Sequence, residues 1–205
     1  MEDWLLTLDI FEDDDKTSWM AEEPRWRGIA VELEELHCLK GANFIKQLKQ
    51  IVNYGEFHPV EGETSIYSTG GEKSDDYENL LNAARKAVEH GYRVFVLPNP
   101  KGTRTPDFIF EQKRNFKVYD LKTISGKASV GNRLFESIGQ SNRVLLNITV
   151  DYNTRLLASD IKSYFELNQN ALEVLIFKGK RLLSIDRDLT LSPQYYRLFR
   201  KKYEK

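Results

Sequence analysis

Residues 105–123 have the sequence TPDFIFEQKRNFKVYDLKT, which predicts a β-hairpin. Pro106–Phe110 and Phe116–Lys122 are rich in aromatic and β-branched residues, and the polar run Gln112–Asn115 between them is typical of a turn. Two such strands that are joined by a short turn pair with each other. The sequence therefore predicts that the second and third strands of the sheet form a hairpin.

Three charged side chains are expected to meet on this hairpin. Side chains alternate between the two faces of a strand, so Asp120 and Lys122 share one face with Phe116 and Val118. Asp107 begins the neighbouring strand, where strand pairing brings it beside Asp120. Because an apolar face is a costly place to bury charge, we expect the three groups to have a chemical role.

Two carboxylates and an ammonium group suit the hydrolysis of a phosphodiester bond. Asp107 and Asp120 offer the oxygen ligands that a hard cation such as Mg²⁺ or Mn²⁺ prefers. Such a cation polarises the phosphate and lowers the pKa of a bound water. The Lys122 ammonium orients that water or neutralises the charge that develops on the phosphate. These residues therefore predict a metal-dependent nuclease site.

Helices and further strands are predicted on both sides of the hairpin. The apolar spacing predicts helices over 28–53, with a break near Gly41, and over 76–90, followed by a strand at 92–97. After the hairpin we expect a helix at 131–142, a strand at 144–150, a helix at 157–169, strands at 173–177 and 182–185, and a basic helix at 193–203. This order predicts an α/β fold with a mixed sheet flanked by helices.

The segment 54–73 is rich in Gly, Glu, Ser and Thr, and it predicts a linker. We therefore expect a boundary at Gly70-Gly71. Residues 1–70 form an acidic arm with a helical extension in this interpretation, and residues 71–205 form the nuclease-like domain.

Charge is distributed unevenly along the chain, although the net charge is only −1. Residues 1–23 carry nine acids and one lysine, whereas residues 101–145 carry nine basic and four acidic residues. The last nine residues add five basic groups and one acid. This asymmetry favours a surface that binds a polyanion, RNA or DNA, away from an acidic arm.

Cysteine content and hydropathy exclude several other classes. Cys38 is the single cysteine, so an intramolecular disulfide and a zinc–cysteine cluster are impossible. No run of 18 apolar residues predicts a membrane span. The N-terminus is acidic where an export signal is basic and then apolar, and we therefore expect a cytoplasmic protein.

The spacing of the charged residues resembles the PD-(D/E)XK nuclease signature. Pro106-Asp107 is followed after twelve residues by Asp120-Leu121-Lys122, and the predicted element order is similar to that of the same superfamily. The resemblance covers about residues 74–150 and implies a restriction-endonuclease-like core. The segments that begin at Glu78, Gly91, Leu97, Thr105 and Asp120 look like the C-terminal tRNA-nuclease toxins of contact-dependent growth inhibition systems and their phage and mobile-element relatives.

The resemblance implies two further site residues and a substrate. An acidic residue on the first helix often completes the metal site in that superfamily, and Glu78 matches that position. A polar residue on the helix after the lysine often contributes to catalysis, and Gln140 matches it. Asp75-x-x-Glu78 also fits a helix capping box, which is a structural alternative for Glu78. The toxin resemblance favours RNA, in particular tRNA, as the substrate.

Several residues near the hairpin are candidates for binding the nucleic-acid backbone. They are Lys101, Arg104, Thr123, Lys127 and Arg133. Two alternatives to an RNA endonuclease stay open: a DNA endonuclease of mobile-element, restriction or repair type, and a module on the same fold that binds nucleic acid or a partner without cleavage. A homodimer and an inhibitor protein also stay open as partners.

Overall fold

The computed structural model describes residues 25–71, 76–99, 104–126 and 129–204. Over these residues the chain forms one mixed sheet of eight strands with helices on both faces. The strands are β1 (His58–Pro59), β2 (Ile66–Ser68), β3 (Arg93–Val96), β4 (Phe108–Gln112), β5 (Asn115–Ile124), β6 (Arg143–Ile148), β7 (Glu173–Lys178) and β8 (Arg181–Asp186). The expected α/β fold with a mixed sheet is therefore confirmed.

The strands lie in the sheet in the order in which they occur in the chain. β3, β4 and β5 are antiparallel neighbours, and β5, β6 and β7 are parallel neighbours. β5 is thus the strand at which the sheet changes from antiparallel to parallel pairing. The β4–β5 hairpin turns at Lys113 and Arg114, which both have positive φ angles.

Seven helices in the described ranges pack on the sheet or follow it. They are α1 (Arg25–Glu35), α2 (Gly41–Tyr54), α3 (Tyr77–Glu89), α4 (Val130–Glu136), α5 (Thr154–Leu167), α6 (Arg187–Leu191) and α7 (Tyr195–Tyr203). A 3₁₀ turn, Leu36–Cys38, joins α1 to α2 close to the predicted break at Gly41. No helix in the described part of the chain is long and apolar enough to cross a membrane.

The two faces of the sheet have separate cores. We call the face that carries Ile109, Val118 and Asp120 the front face, and the opposite face, which carries Phe108 and Tyr119, the back face. α3 covers the back face through its buried residues Leu80, Leu81, Ala83, Ala84 and Ala87.

The front face is covered by two groups of helices that pack on different strands. α1 and α2 pack through Leu33, Leu48 and Ile51 against the side chains of β3, β4 and the first half of β5. α4, α5 and α7 pack against Ile124 at the end of β5 and against β6, β7 and β8. The middle of β5, including Asp120, lies between the part of the sheet that α1 and α2 cover and the part that α4, α5 and α7 cover.

Two sequence-based expectations need correction. The segment 54–73 is not a plain linker, because β1 and β2 lie within it and β2 pairs with β3. The strands are only two and three residues long, too short to show an alternating pattern. The helix expected at 131–142 ends at Glu136, and turns continue to Gly139, whose φ of +87° is outside the helical region.

Candidate active site

Asp107 is held at the start of β4 between two neighbouring strands. Its backbone N–H donates to Tyr119 O (3.0 Å) on β5, and its carbonyl accepts from Leu97 N (2.9 Å) just after β3. Since both backbone groups are bonded, the direction of the Asp107 side chain is set by the sheet. The side chain points to the front face, as the alternation along the hairpin predicts.

The Asp107 carboxylate is itself fixed by two donors. Leu121 N donates to Oδ2 (2.6 Å), and Asn99 Nδ2 donates to Oδ1 (3.3 Å). Asp107 is only 8% exposed. The two donors therefore fix the orientation of the carboxylate, and Asp120 lies close enough to interact with it electrostatically.

Asp120 is the most deeply buried of the three predicted residues, at 2% exposure. Lys122 Nζ lies 3.0 Å from Asp120 Oδ2, and the lysine side chain is 15% exposed. This contact is an ion pair without a well-aligned hydrogen bond, because Oδ2 has no hydrogen-bond partner in the structure. Among the described residues, Lys122 is therefore the positive group nearest to this buried oxygen.

Burial and mutual repulsion change the pKa values of the two carboxyl groups. Burial raises the pKa of Asp107, opposed by the Leu121 N–H and by the charge of Lys122. Burial and the negative charge of Asp107 together raise the pKa of Asp120 well above its ordinary value, and Lys122 only partly offsets them. Two adjacent buried carboxyls share a proton until a cation neutralises them.

The geometry suits a divalent cation that has part of its coordination shell outside the protein. Asp107 and Asp120 provide adjacent carboxylate oxygens, one of them without a hydrogen bond. Mg²⁺ is commonly held by one or two carboxylates, with water and phosphate oxygens as its other ligands. The described residues contain no group of three or more His, Cys, Asp or Glu that could hold a metal, so this part of the chain offers two acids at this position.

Glu78 is not brought into a cluster with the two aspartates. It lies in the first turn of α3, on the helix that covers the back face, and its Oε1 is 2.8 Å from Arg85 Nη1. Its side chain is 70% exposed. Asp76 begins α3 without a side-chain capping hydrogen bond, and Asp75 lies outside the described residues. The metal role of Glu78 stays a prediction.

Gln140 lies on the front-face side of the site, in the turn that follows α4. It is half-buried and lines a cavity together with Pro106 and Val118, the front-face neighbours of Asp107 and Asp120. Its side-chain amide has no hydrogen bond to another described group. Gln140 thus lies on a cavity that also includes near neighbours of the two aspartates, and its catalytic role stays a prediction.

The candidate phosphate contacts have different surroundings. Arg104 is exposed, and its backbone N–H donates to Glu34 Oε1 (3.2 Å). Arg133 is exposed and pairs with Glu136 (3.0 Å). Thr123 Oγ1 donates to Asn79 Oδ1 (2.9 Å) of α3, so its hydroxyl is directed to the back face. Lys101 and Lys127 lie outside the described residues.

Asn99 is a site residue that the sequence did not reveal. It follows β3 in the run Pro98-Asn99-Pro100, and its backbone N–H donates to Gly71 O (3.1 Å) while its amide donates to Asp107. The signal that could have found it is its position directly after the strand that pairs with the Asp107 strand. Polar residues at such strand ends are common donors to a neighbouring site.

A second charged cluster lies on the back face at the start of β7. Glu173 accepts hydrogen bonds from Lys117 Nζ (2.8 Å), Tyr119 OH (2.9 Å) and Ser184 Oγ (2.5 Å), and Arg143 Nε lies 3.4 Å away. Burial raises the pKa of Glu173, but the hydrogen bonds from its partners outweigh burial and lower the pKa overall. This cluster connects β5, β6, β7 and β8 directly behind the carboxyl pair.

Comparisons with known proteins add little to this geometry. No protein-family model matches the chain, and no curated protein sequence matches it. A solved structure with partial similarity is a chain of the CdiA-CT/CdiI toxin and immunity complex from Burkholderia pseudomallei, with 14% identity and a TM-score of 0.38. The similarity covers 55% of this chain and 86% of that chain, and at this TM-score it carries no inference about function.

Proposed function

We propose that this chain is a divalent-metal-dependent endonuclease of the PD-(D/E)XK type that hydrolyses phosphodiester bonds. The observation that supports the proposal best is the contact between Asp107 and Asp120, two buried carboxyls on one sheet face, with Lys122 Nζ 3.0 Å from Asp120. Burial of two like charges in contact is unfavourable unless a cation or a proton neutralises them. Lys122 supplies one positive charge to two carboxyls, and a divalent cation would supply the rest.

Each site residue has a separate role in the proposed reaction. Asp107 and Asp120 would hold a Mg²⁺ or Mn²⁺ ion, which supplies a Lewis acid at the phosphate and acidifies a water molecule. Leu121 N–H and Asn99 keep Asp107 in position, so the carboxylate does not reorient during the reaction. Lys122, whose ammonium lies 3.0 Å from Asp120 Oδ2 and whose side chain is 15% exposed, would donate a hydrogen bond to a phosphate oxygen or to the attacking water.

RNA is the first substrate to test, and tRNA in particular, because the motif resembles that of tRNA-cleaving toxins. DNA is the close alternative. The positive charge of residues 101–145 suits either polyanion. An inhibitor protein is a natural partner for a toxin of this kind, and it belongs to the same proposal.

One observation favours a second candidate, a module that binds nucleic acid without cleaving it. Glu78 pairs with Arg85 instead of joining the aspartates, and the described residues offer no third acid to the site. A site with two acids binds a cation more weakly than one with three. Metal binding separates the two candidates, since only the nuclease requires Asp107 and Asp120 to bind a cation together.

The test is a cleavage assay with the full chain. Purified protein is incubated with tRNA, other RNA and plasmid DNA in Mg²⁺, in Mn²⁺ and in chelator, beside the variants Asp120→Asn and Asp151→Asn. Asp151 is an exposed aspartate in the loop after β6, so its variant is a matched control. We expect metal-dependent cleavage that Asp120→Asn reduces at least ~100-fold and Asp151→Asn leaves unchanged.

Metal binding is measured on the same preparations by thermal unfolding. A cation that binds the folded state raises the unfolding temperature. We expect millimolar Mn²⁺ to stabilise the wild type and Asp151→Asn, and to have no effect on Asp120→Asn. Absence of both cleavage and metal stabilisation in a folded wild type would reject the nuclease and favour the binding module.

A further inference from the structure

A cavity of about 520 Å³ opens beside the carboxyl pair on the front face. It lies where α2 and the turn after α1 face the loop between α4 and β6. Its walls include Phe44 of α2, Phe116 and Val118 of β5, and the side chains of Gln140 and Asn142. A cavity of this size falls within the range of small-ligand sites.

The cavity lies close to the carboxyl pair, because its lining includes near neighbours of both aspartates in the sequence. Pro106 lines the cavity and directly precedes Asp107. Val118 also lines it and lies two residues before Asp120 on the same face of β5, which is about 7 Å along the strand. Ser141 Oγ donates to Val118 O (3.2 Å) and holds the cavity wall against this strand. The wall of the cavity therefore includes residues within one or two positions of each aspartate.

The lining combines aromatic surface with unused amide groups. Phe44 and Phe116 are half-buried and present ring surface to the cavity region. The side-chain amides of Gln140, Asn142 and Asn170 have no hydrogen bond to any group in the described parts of the chain. Lys40 adds a positive charge at the rim. An apolar slot with free donors and acceptors at its edge suits a flat ring that has a polar perimeter.

We propose that this cavity binds one nucleobase of the substrate, next to the phosphate that is bound at Asp107 and Asp120. The inference rests on the proposed nuclease function and extends it to substrate recognition. Aromatic side chains stack on base faces, and amide side chains hydrogen-bond to base edges. The distance from Val118 to Asp120 along β5 is comparable to the distance from a base to the phosphate of its own nucleotide.

The inference specifies which nucleic acids are substrates. A base that is stacked and paired in a duplex does not offer its face and edge to a cavity between protein elements, so the nucleotide must be single-stranded, in a loop, or turned out of the helix. The enzyme then cleaves beside unpaired nucleotides, and the three amide side chains determine which base is preferred.

The experiment measures base recognition apart from cleavage. The full chain is titrated with AMP, CMP, GMP and UMP, and with ribose 5-phosphate as the ligand that lacks a base, by ligand-observed NMR in chelator and in Mg²⁺. We expect at least one nucleotide to bind about tenfold or more tightly than ribose 5-phosphate, in both conditions, because base stacking does not depend on the cation.

Two variants locate the binding in the cavity. Ile45 lines the cavity and is 38% exposed, so Ile45→Trp can fill the space from the rim without disturbing the core. Asn142→Ala removes one free amide and little packing. We expect Ile45→Trp to abolish the preference over ribose 5-phosphate and Asn142→Ala to reduce it about fivefold or more. Gln50 is exposed on α2, the helix that carries Ile45, and it lies outside this cavity. Gln50→Ala should therefore leave the preference over ribose 5-phosphate unchanged.

The outcomes separate this inference from the nuclease proposal. Base preference without cleavage supports the cavity assignment and rejects the nuclease. Cleavage by a protein that binds ribose 5-phosphate as tightly as every nucleotide overturns the cavity assignment and leaves the nuclease in place. Base preference that persists in both folded cavity variants also overturns it, since the base is then bound elsewhere.

Discussion

Asp107 has a structural contact as well as a proposed catalytic one. Its Oδ2 accepts a hydrogen bond from the backbone N–H of Leu121, which is buried in the centre of the sheet. Removal of this acceptor leaves a buried donor without a partner, at a cost of about 1–3 kcal/mol. Loss of activity in Asp107→Ala would therefore be ambiguous, whereas Asp120 has no such role and is the better residue to replace.

The charge of Asp120 should lower the stability of the protein in the absence of a cation. Its folded pKa is raised by burial and by Asp107, so its stabilising contribution is complete below about pH 4, near the ordinary aspartate pKa, and is lost as pH rises through the raised folded value. We predict that Asp120→Asn is about 1–2 kcal/mol more stable than the wild type at pH 7 in chelator. Denaturant unfolding measures the difference.

The pH series provides the internal check on this prediction. The stability gap between Asp120→Asn and the wild type should be small near pH 4 and should widen toward neutral pH. Asp151→Asn, at an exposed position, should show no such gap. A gap that stays constant with pH, or a less stable Asp120→Asn protein, would mean that Lys122 neutralises Asp120 more fully than the raised pKa indicates.

The predictability of the site differs from residue to residue. Asp107, Asp120 and Lys122 were expected to lie together because strand periodicity and hairpin pairing are local rules. The direction in which Glu78 points depends on how α3 sits on the back face, and its partner Arg85 lies seven residues further along the chain. Asn99 belongs to a loop, and no periodic pattern predicts where a loop side chain points.

Glu173 is the point at which four strands are tied together behind the site. Its lowered pKa means that it stabilises the fold above about pH 4.5, its ordinary value, and that this stability is lost as pH falls through the lowered folded value. We predict that Glu173→Gln reduces the free energy of unfolding by about 3 kcal/mol at pH 7, because Lys117 and Arg143 lose their counter-charge. Denaturant unfolding at pH 7 and in mild acid tests this.

A matched control for Glu173 exists on α5. Glu166 is an exposed glutamate that pairs with Lys162 at 3.9 Å, and Glu166→Gln should change stability by less than about 0.5 kcal/mol. If Glu173→Gln and Glu166→Gln reduced the free energy of unfolding by the same small amount, the cluster at Glu173 would contribute no more to stability than a surface ion pair.

The helices α1 and α2 contribute to the same core as the sheet. Leu48 of α2 is fully buried, and it packs in one core with Phe95, Ile109 and Val118 of the sheet. We predict that Leu48→Ala destabilises the whole chain by about 2–5 kcal/mol in a single unfolding transition, and that Lys49→Ala, at the exposed neighbouring position, has little effect. Circular dichroism and tryptophan fluorescence should report the same midpoint. Two separate transitions would instead show that residues 25–54 unfold independently.

Long elements were more predictable than short ones. The apolar spacing located α2, α3 and α5 and the strands from β3 onward to within a few residues. β1 and β2 were missed because they stand among Gly, Glu, Ser and Thr and depend on an existing sheet edge for their structure. Their pairing with β3 is a long-range contact, which no local pattern in 54–73 specifies.

The charge of the whole chain is separated along its length. Residues 1–24 carry nine acids and one lysine, and we predict that this segment weakens binding of nucleic acid to the basic remainder. Deletion of 1–24 in the Asp120→Asn protein should tighten binding of a ~20-nucleotide RNA about threefold or more at low salt, and the gain should shrink at 0.5 M salt. Fluorescence anisotropy measures both.

A second variant distinguishes the effect of the segment's charge on binding from the effect of its size. Replacement of the nine acids by Asn and Gln keeps the length of the segment and should reproduce the effect of the deletion. Equal affinities for the full chain and both variants would show that the acidic segment has no influence on binding.

The agreement between strand order in the sheet and strand order in the chain has a consequence for biosynthesis. Each strand that leaves the ribosome can join an edge that the preceding strand has just formed. Asp107 and Asp120 can come together when β5 joins β4, before α5 and α7 have left the ribosome. The acidic pair can therefore form while water still has access to it, and the helices of the last third of the chain pack on the front face afterwards.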